Sequence, residues 1–199
     1  MKKTKHKTKL VCIVGMAGAG KSVVADYFTK QGYQFIRFGQ ITLDIVKERG
    51  LEPNEKNERK IRESIRKKHG MAAFAKLNMP KFNELLKRGN VVGDGLYSFA
   101  EYKYLNDKFK DRMFLVAVYA PPELRYERIS KRVMPEEDTD LRHRPFTKAE
   151  AKARDFAEIE NLDKGGPIAM ADFTLLNTKS VSYLMKQVKG VYNAIEEKK

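Results

Sequence analysis

Residues Gly15 to Ser22 read Gly-Met-Ala-Gly-Ala-Gly-Lys-Ser, that is, Gly, any four residues, then Gly-Lys-Ser. This spacing suits phosphate binding. Glycines let the chain turn sharply and bring backbone N–H groups against phosphate oxygens. The Lys21 ammonium then reaches the β and γ phosphates, and the Ser22 hydroxyl offers an oxygen to magnesium. Gly15, Met16, Ala17, Gly18, Ala19, Gly20, Lys21 and Ser22, with Val23 behind them, are therefore the expected cradle for ATP. A glycine-rich turn that binds nothing is the alternative, but every fixed position of the pattern is filled. The second landmark is Asn90-Val91-Val92-Gly93-Asp94-Gly95, a short apolar run ending in an acid. A carboxylate so placed can hold magnesium or its waters opposite Ser22. Asp-Gly is also a common turn, so the pair gains weight from following a phosphate loop.

Two sets of arginines are candidates for anion binding. Arg128 and Arg132 are four apart after the run Met113–Tyr119, on a helix opened by Pro121-Pro122-Glu123. Their guanidinium forks suit phosphoryl oxygens; ion pairing with Glu123 and Glu127 is the competing assignment. Arg59, Arg62 and Arg66 share one face of a polar helix, either as an anion-facing stripe or as a solvated face balanced by Glu58 and Glu63. His69 and His143 have no other metal-type ligands near them in sequence, so no zinc site is expected. Cys12 is the only cysteine, which excludes an internal disulfide, and its place in an apolar run makes it a core residue.

The elements around these residues have the order that phosphate chemistry requires. Leu10–Val14 is an apolar run, as a strand buried on both faces should be, and a helix follows Ser22 to about Gly32. Gln34–Phe38, the Val91 segment, Met113–Tyr119 and Asp172–Asn177 are the further strands expected. Between them, helices are expected from Ile41 toward Gly50, over Glu55–His69, over Met71–Leu77, and again from Pro80 to Lys87. The Glu55–His69 segment reads as a surface helix with one buried edge, Ile61 and Ile65. Ser98 with Glu101, and Thr147 with Glu150, are capping boxes for two more helices. Gly165-Gly166-Pro167 reads as a loop, and Ser180–Glu196 as a closing helix. Alternation of this kind predicts a three-layer α/β/α domain around a five-stranded, mainly parallel sheet, with ligands at the carboxyl ends of the strands.

The chain has 199 residues and a net charge of +14. That length suits one domain, and the charge favours anionic partners: nucleotides, and optionally nucleic acid. No apolar stretch is long enough to cross a membrane and no signal-peptide core follows the basic start. The expectation is a cytoplasmic protein, monomeric or a small homo-oligomer, with a mobile basic lead over residues 1–9 and one domain over 10–199.

Over about residues 10 to 195 the sequence resembles phosphate-loop kinases of the nucleoside-monophosphate-kinase type, in particular the adenylate-kinase-related and dephospho-CoA-kinase-like group of archaea. The resemblance rests on the order of the Gly15–Ser22 loop, Asp94-Gly95, Leu124-Arg125-Tyr126-Glu127-Arg128-Ile129-Ser130-Lys131-Arg132, and Ala171-Asp172-Phe173-Thr174-Leu175-Leu176-Asn177. It implies the P-loop kinase fold, with an acceptor-side helical insertion over about 39–88 and a small helical lid over about 133–160. It places Arg128 near the adenine, Asn177 in the adenine-side loop and Arg132 on phosphates. Arg154, with Arg142 or Arg144, would come from the lid. ATP and magnesium would be the cofactors, and Lys21, Asp94, Arg132 and Arg154 the catalytic set. The acceptor side departs from the pattern. Gln40 and Leu43 stand where such kinases carry Asp and Arg after the glycine, and Tyr97 and Ser98 stand where an Arg follows Asp-Gly. The function implied is transfer of the γ-phosphoryl group of ATP to a nucleotide-like acceptor. A dephospho-CoA-kinase-like enzyme, or a P-loop ATPase that binds RNA or a protein, are the alternatives.

Overall fold

The computed structural model describes residues 7–133 and 144–198. Its strands are β1 (Leu10–Val14), β2 (Gln34–Arg37), β3 (Val91–Asp94), β4 (Met113–Tyr119) and β5 (Phe173–Leu176). They form one sheet in the order β2-β3-β1-β4-β5, with every neighbouring pair parallel. The helices are α1 (Lys21–Lys30), α2 (Gln40–Glu48), α3 (Glu55–His69), α4 (Ala73–Arg88), α5 (Phe99–Phe109), α6 (Pro122–Ser130), α7 (Lys148–Leu162), α8 (Gly165–Ala169) and α9 (Val181–Glu197).

The period of two along β1 divides the core. Leu10, Cys12 and Val14 pack with Phe38, Phe74 and Phe82 on one face, the side of α2 to α5. Val11 and Ile13 pack with Phe28, Leu184 and Val188 on the other, under α1 and α9. Parallel strands covered on both faces have to be apolar throughout, and all five residues of β1 are buried. The carboxyl ends of β1, β3 and β4 meet at the centre of one edge of the sheet, where the glycine loop begins.

Both capping boxes form: the Ser98 hydroxyl accepts from Glu101 N at 3.1 Å, and Thr147 Oγ1 from Glu150 N at 3.2 Å. Four expectations are corrected. The two helices expected on either side of Pro80 are one, α4, with Pro80 inside it. The buried stripe Ala73, Phe74, Ala75, Asn78 and Phe82 runs past the proline, which is exposed. Asn78 ties that turn to the segment after β2, donating to Phe74 O at 2.8 Å and Phe38 O at 3.3 Å. The Gly165-Gly166-Pro167 loop is the start of the short helix α8, where a Cβ on Gly166 would stand 2.7 Å from Phe99 Cγ. Thr8 and Lys9, expected in the mobile lead, are bonded to the body: Thr8 Oγ1 to Leu86 O at 3.0 Å, and Lys9 N to Asn90 Oδ1 at 2.9 Å. Helix α3 buries Glu55, Glu58, Arg62 and Arg66 besides Ile61 and Ile65, so it is no surface helix with a single apolar seam. The lid expected over about 133–160 lies partly outside the described residues, and Arg142 and His143 lie there too.

Pro80 cannot donate to the carbonyl of Lys76, and its ring crowds that turn. Pro80→Ala should therefore stabilise the protein by about 1–3 kcal/mol. The check is a rise in the urea midpoint at unchanged m-value. A lower midpoint would mean that the proline shapes the helix to fit β2 and β3.

Candidate functional site

The loop after β1 is held by close backbone approaches. Gly15, Gly18 and Gly20 have φ of 146°, 77° and 102°. A Cβ on each would stand 2.4 Å from Val118 O, 2.6 Å from Arg125 O and 2.3 Å from Asn177 Nδ2, respectively. Only glycine fits all three places. Polar side chains brace the same loop from outside. Asn177 Nδ2 donates to Ala19 O at 2.9 Å. Arg125 donates to Ala120 O at 2.9 Å and to Ala17 O at 3.1 Å, and pairs with Asp155 at 2.6 Å. Arg125 thus fixes the loop relative to α6 and α7. Its bracing role was missed in the sequence, where only its position three residues ahead of Arg128 marks it.

A narrow pocket of about 80 Å³ opens over the loop. Lys21, Ser22, Asp94, Arg132 and Arg154 all line it, together with Ala17 and Gly18. Lys21 Nζ donates to Gly15 O at 3.0 Å and Met16 O at 3.1 Å. Desolvation, then Lys164 close by, lower its ammonium to about 7 against the opposing pull of Asp94. Burial, then Arg144, Arg154 and Arg37, pull the Arg132 guanidinium below its ordinary value. This crowding of cations on one spot favours an anion with several charges.

Asp94 is paired in register with Ile13 of β1 and Arg37 of β2. It is buried, and its Oδ1 has no hydrogen-bond partner among the described residues. A buried carboxylate oxygen without a partner, on the same pocket wall as a serine hydroxyl, is the hard-oxygen donor set that magnesium takes. Ser22 and Asp94 would hold that ion, with waters and phosphate oxygens completing its shell. Among the described residues no cluster of three or more His, Cys, Asp or Glu could hold a metal by itself.

Arg128 stands apart from this pocket. It donates to Asn177 O at 3.0 Å, on the side of the loop facing β5. The helix ends at Ser130, so Arg132 leaves the helical register and lines the pocket over the loop while Arg128 does not. The shared face expected from their spacing of four is not realised. The competing ion pairs are not realised either, since Glu127 pairs with Lys131 at 2.6 Å.

The largest surprise lies between α3 and α7. Glu58 accepts from Arg62 at 3.2 Å and from both Nε and Nη2 of Arg144, and lies 3.9 Å from Arg154. Glu158 binds Lys164 and accepts from Arg154 Nε at 2.9 Å. Glu55 completes the cluster with Arg62 and, at 3.5 Å, Arg154. All seven side chains are buried. Arg144 and Arg154, which the resemblance implied would come from the lid, are thus seated on acids beside the phosphate pocket. Glu158 and Lys164, which also line it, had been missed. The signal was available in the four-residue spacing of Arg154 and Glu158, which reads as an exposed helix pair unless the helix is known to face inward.

Burial by itself would raise the Glu158 carboxyl, but Lys164 and Arg154 hold it well below the ordinary carboxylate range. A depressed folded-state value contributes stability above the unfolded value, 4.5, which is lost as pH falls below it. Glu158→Gln should therefore flatten the fall of stability between about pH 5 and 3. At pH 7 it should cost about 3–5 kcal/mol, because two buried cations lose their partner. Urea unfolding of both proteins across that range checks this; parallel pH curves would show that Glu158 does not titrate with folding.

Comparison with known proteins agrees with this fold. The family model described as "AAA domain" matches residues 11–170. A UPF0200 protein of Thermococcus gammatolerans is 34% identical over 188 residues, 94% of this chain and 95% of its own. Another from Thermococcus kodakarensis is 33% identical, covering 95% of this chain and 99% of its own. Among solved structures, a shikimate kinase from Bacteroides thetaiotaomicron superposes with a TM-score of 0.55 at 15% identity, over 94% of this chain and 98% of its own. A gluconokinase from Sinorhizobium meliloti gives a TM-score of 0.55 at 13% identity, over 96% of each chain. Those two share the fold of a P-loop kinase with this chain.

Proposed function

The chain belongs to the AAA-domain family and, with its archaeal relatives, to the UPF0200 family, and on that premise we propose that it is an ATP-dependent phosphotransferase acting on a nucleotide-like small molecule. The observation that carries this reading is the convergence of Lys21, Ser22, Asp94, Arg132 and Arg154 on one pocket over the glycine loop. A loop that only turned the chain would need none of them.

Phosphoryl transfer asks the protein for alignment and charge neutralisation rather than covalent chemistry. The acceptor oxygen bonds to the γ phosphorus while the bond to the β–γ bridging oxygen breaks and ADP leaves. Loop N–H groups and the start of α1 cradle the phosphates. Lys21 and Arg132 follow the charge that moves onto the bridging oxygen and the transferring group. Magnesium, when bound at Ser22 and Asp94, would supply further neutralisation of the phosphates. The pocket of about 80 Å³ is well short of a whole nucleotide site. The base would therefore lie outside it, and the resemblance puts it on the Arg128 and Asn177 side of the loop.

Lys21→Ala should abolish turnover and leave the fold intact, because Lys21 is half-buried at the pocket rather than in the core. A loss beyond 100-fold is expected, equivalent to about 2.7 kcal/mol of barrier. Activity within about threefold of wild type, only ~0.7 kcal/mol, would remove the basis of this reading.

AMP should be a poor acceptor. Leu43 is buried and donates nothing, and Tyr97 packs its hydroxyl against Gly39. Two charge-assisted bonds to the AMP phosphate are absent at those positions, each worth about 1.5–3 kcal/mol. Steady-state assays with AMP, CMP, dTMP and dephospho-CoA side by side decide this. Efficient AMP phosphorylation, with kcat/KM near ~10⁶ M⁻¹s⁻¹, would place the acceptor elsewhere.

A further inference from the structure

A second cavity, of about 300 Å³, lies between α3 and α7. Arg154 and Glu158 form a wall that it shares with the phosphate pocket. Met71, Ala157 and Leu162 also line it and offer apolar surface for the body of a ligand. Its volume is at the lower end for small-molecule sites.

Arg66 also lines this cavity. It is 8% exposed, and its Nε and Nη2 have no hydrogen-bond partner among the described residues. Its guanidinium lies over the Phe74 ring at 4.8 Å and the Tyr97 ring at 5.8 Å, which orients the plane without satisfying the donors. A buried guanidinium with unmet donors is costly, and arginine remains charged. The other lining bases differ: Arg59 pairs with Glu63 at 2.7 Å, Arg62 with Glu55 and Glu58, and Arg154 with Glu158, while Lys67 is exposed. Arg66 is thus a buried cation of this cavity whose Nε and Nη2 are unmet among the described residues, its charge partly offset by the Glu101 carboxylate, and a planar fork matches a planar or tetrahedral oxyanion.

We propose that the cavity between α3 and α7 is the acceptor subsite, and that it takes a compact small molecule whose carboxylate or phosphate is gripped by Arg66. The proposal rests on the phosphotransferase reading for the word acceptor, but not for the anion site itself. The body of the acceptor packs on Met71, Ala157 and Leu162. Its reactive end approaches the phosphate pocket past Arg154 and Glu158. This accounts for the altered positions Leu43 and Tyr97: the acceptor anion is held one helix further out, on α3.

The test uses the full chain saturated with a non-hydrolysable ATP analogue, so that the cations over the loop are occupied. Benzoate and phenyl phosphate are the probes, each an apolar ring with one anionic group, and benzyl alcohol is the uncharged control. Binding is read from the Met71 methyl resonance in methionine-methyl-labelled protein. One or both anions should shift that resonance, the alcohol should not, and the tighter anion identifies the carboxylate or phosphate class. Arg66→Met should weaken the tighter anion at least tenfold while its affinity for the ATP analogue stays within twofold of wild type. Ala157→Phe, which fills the cavity, should block the anion as well and provides a second variant should Arg66→Met misfold. No shift at Met71 with either anion, or wild-type affinity in both variants, overturns the proposal. Failure of the ATP analogue to bind, with the anion still bound at Met71, would instead overturn the phosphotransferase reading and leave the anion site standing.

Discussion

Everything in the candidate site depends on how closely the loop after β1 is squeezed by its surroundings. Gly15 lies under the carbonyl of Val118, Gly18 under that of Arg125, and Gly20 against the amide of Asn177. These contacts come from the end of β4, from α6 and from the segment after β5, so the parallel sheet and its crossovers clamp one short turn. Backbone N–H groups can be preorganised for phosphate only if the turn does not relax, and here side chains as well as sterics prevent that. Arg125 takes the carbonyl of Ala17, and Asn177 that of Ala19. The fold is thus less a scaffold beneath the site than the means of fixing one backbone conformation.

Above that loop, charge is the organising quantity. Arg37, Arg132, Arg144 and Arg154 crowd the same volume, as the depressed Arg132 shows. Arg144 and Arg154 can do so because Glu58 and Glu158 pair with them. A buried ion cluster contributes little net stability, since desolvation offsets most of the attraction, but it holds arginines in set positions. In this chain it joins α3 to α7 through side chains. The two halves that a donor and an acceptor would occupy therefore share one electrostatic wall.

Much of the fold was legible because parallel strands and glycine loops leave local signatures. β1 and β4 are unbroken apolar runs, found at their observed limits of Leu10–Val14 and Met113–Tyr119. The α5 and α7 caps were legible from Ser98 and Glu101, and from Thr147 and Glu150, because a capping box is complete within four residues. Lys21, Asp94, Arg132 and Arg154 were expected together and share a pocket. The acid–base wall was not legible. Glu58 and its partner Arg144 are 86 residues apart, and a charged helix reads as solvated until its neighbour is known. Arg66 shows the same limit: nothing local separates it from Arg59, yet one is buried over Phe74 and the other is exposed. Pro80 misled for the opposite reason, as a strong local stop signal was overridden by a buried face that continues through it.

The central claim is that ATP's γ-phosphoryl group passes to a small molecule rather than to water. Phosphorus NMR of the protein with magnesium, ATP and a panel of hydroxyl-, carboxylate- and phosphate-bearing acceptors separates the two directly. The result expected is a new organic phosphate resonance that grows in step with ADP when the right acceptor is present, with little inorganic phosphate. Release of inorganic phosphate alone, at a rate indifferent to every acceptor, would contradict the claim and make the protein an ATPase.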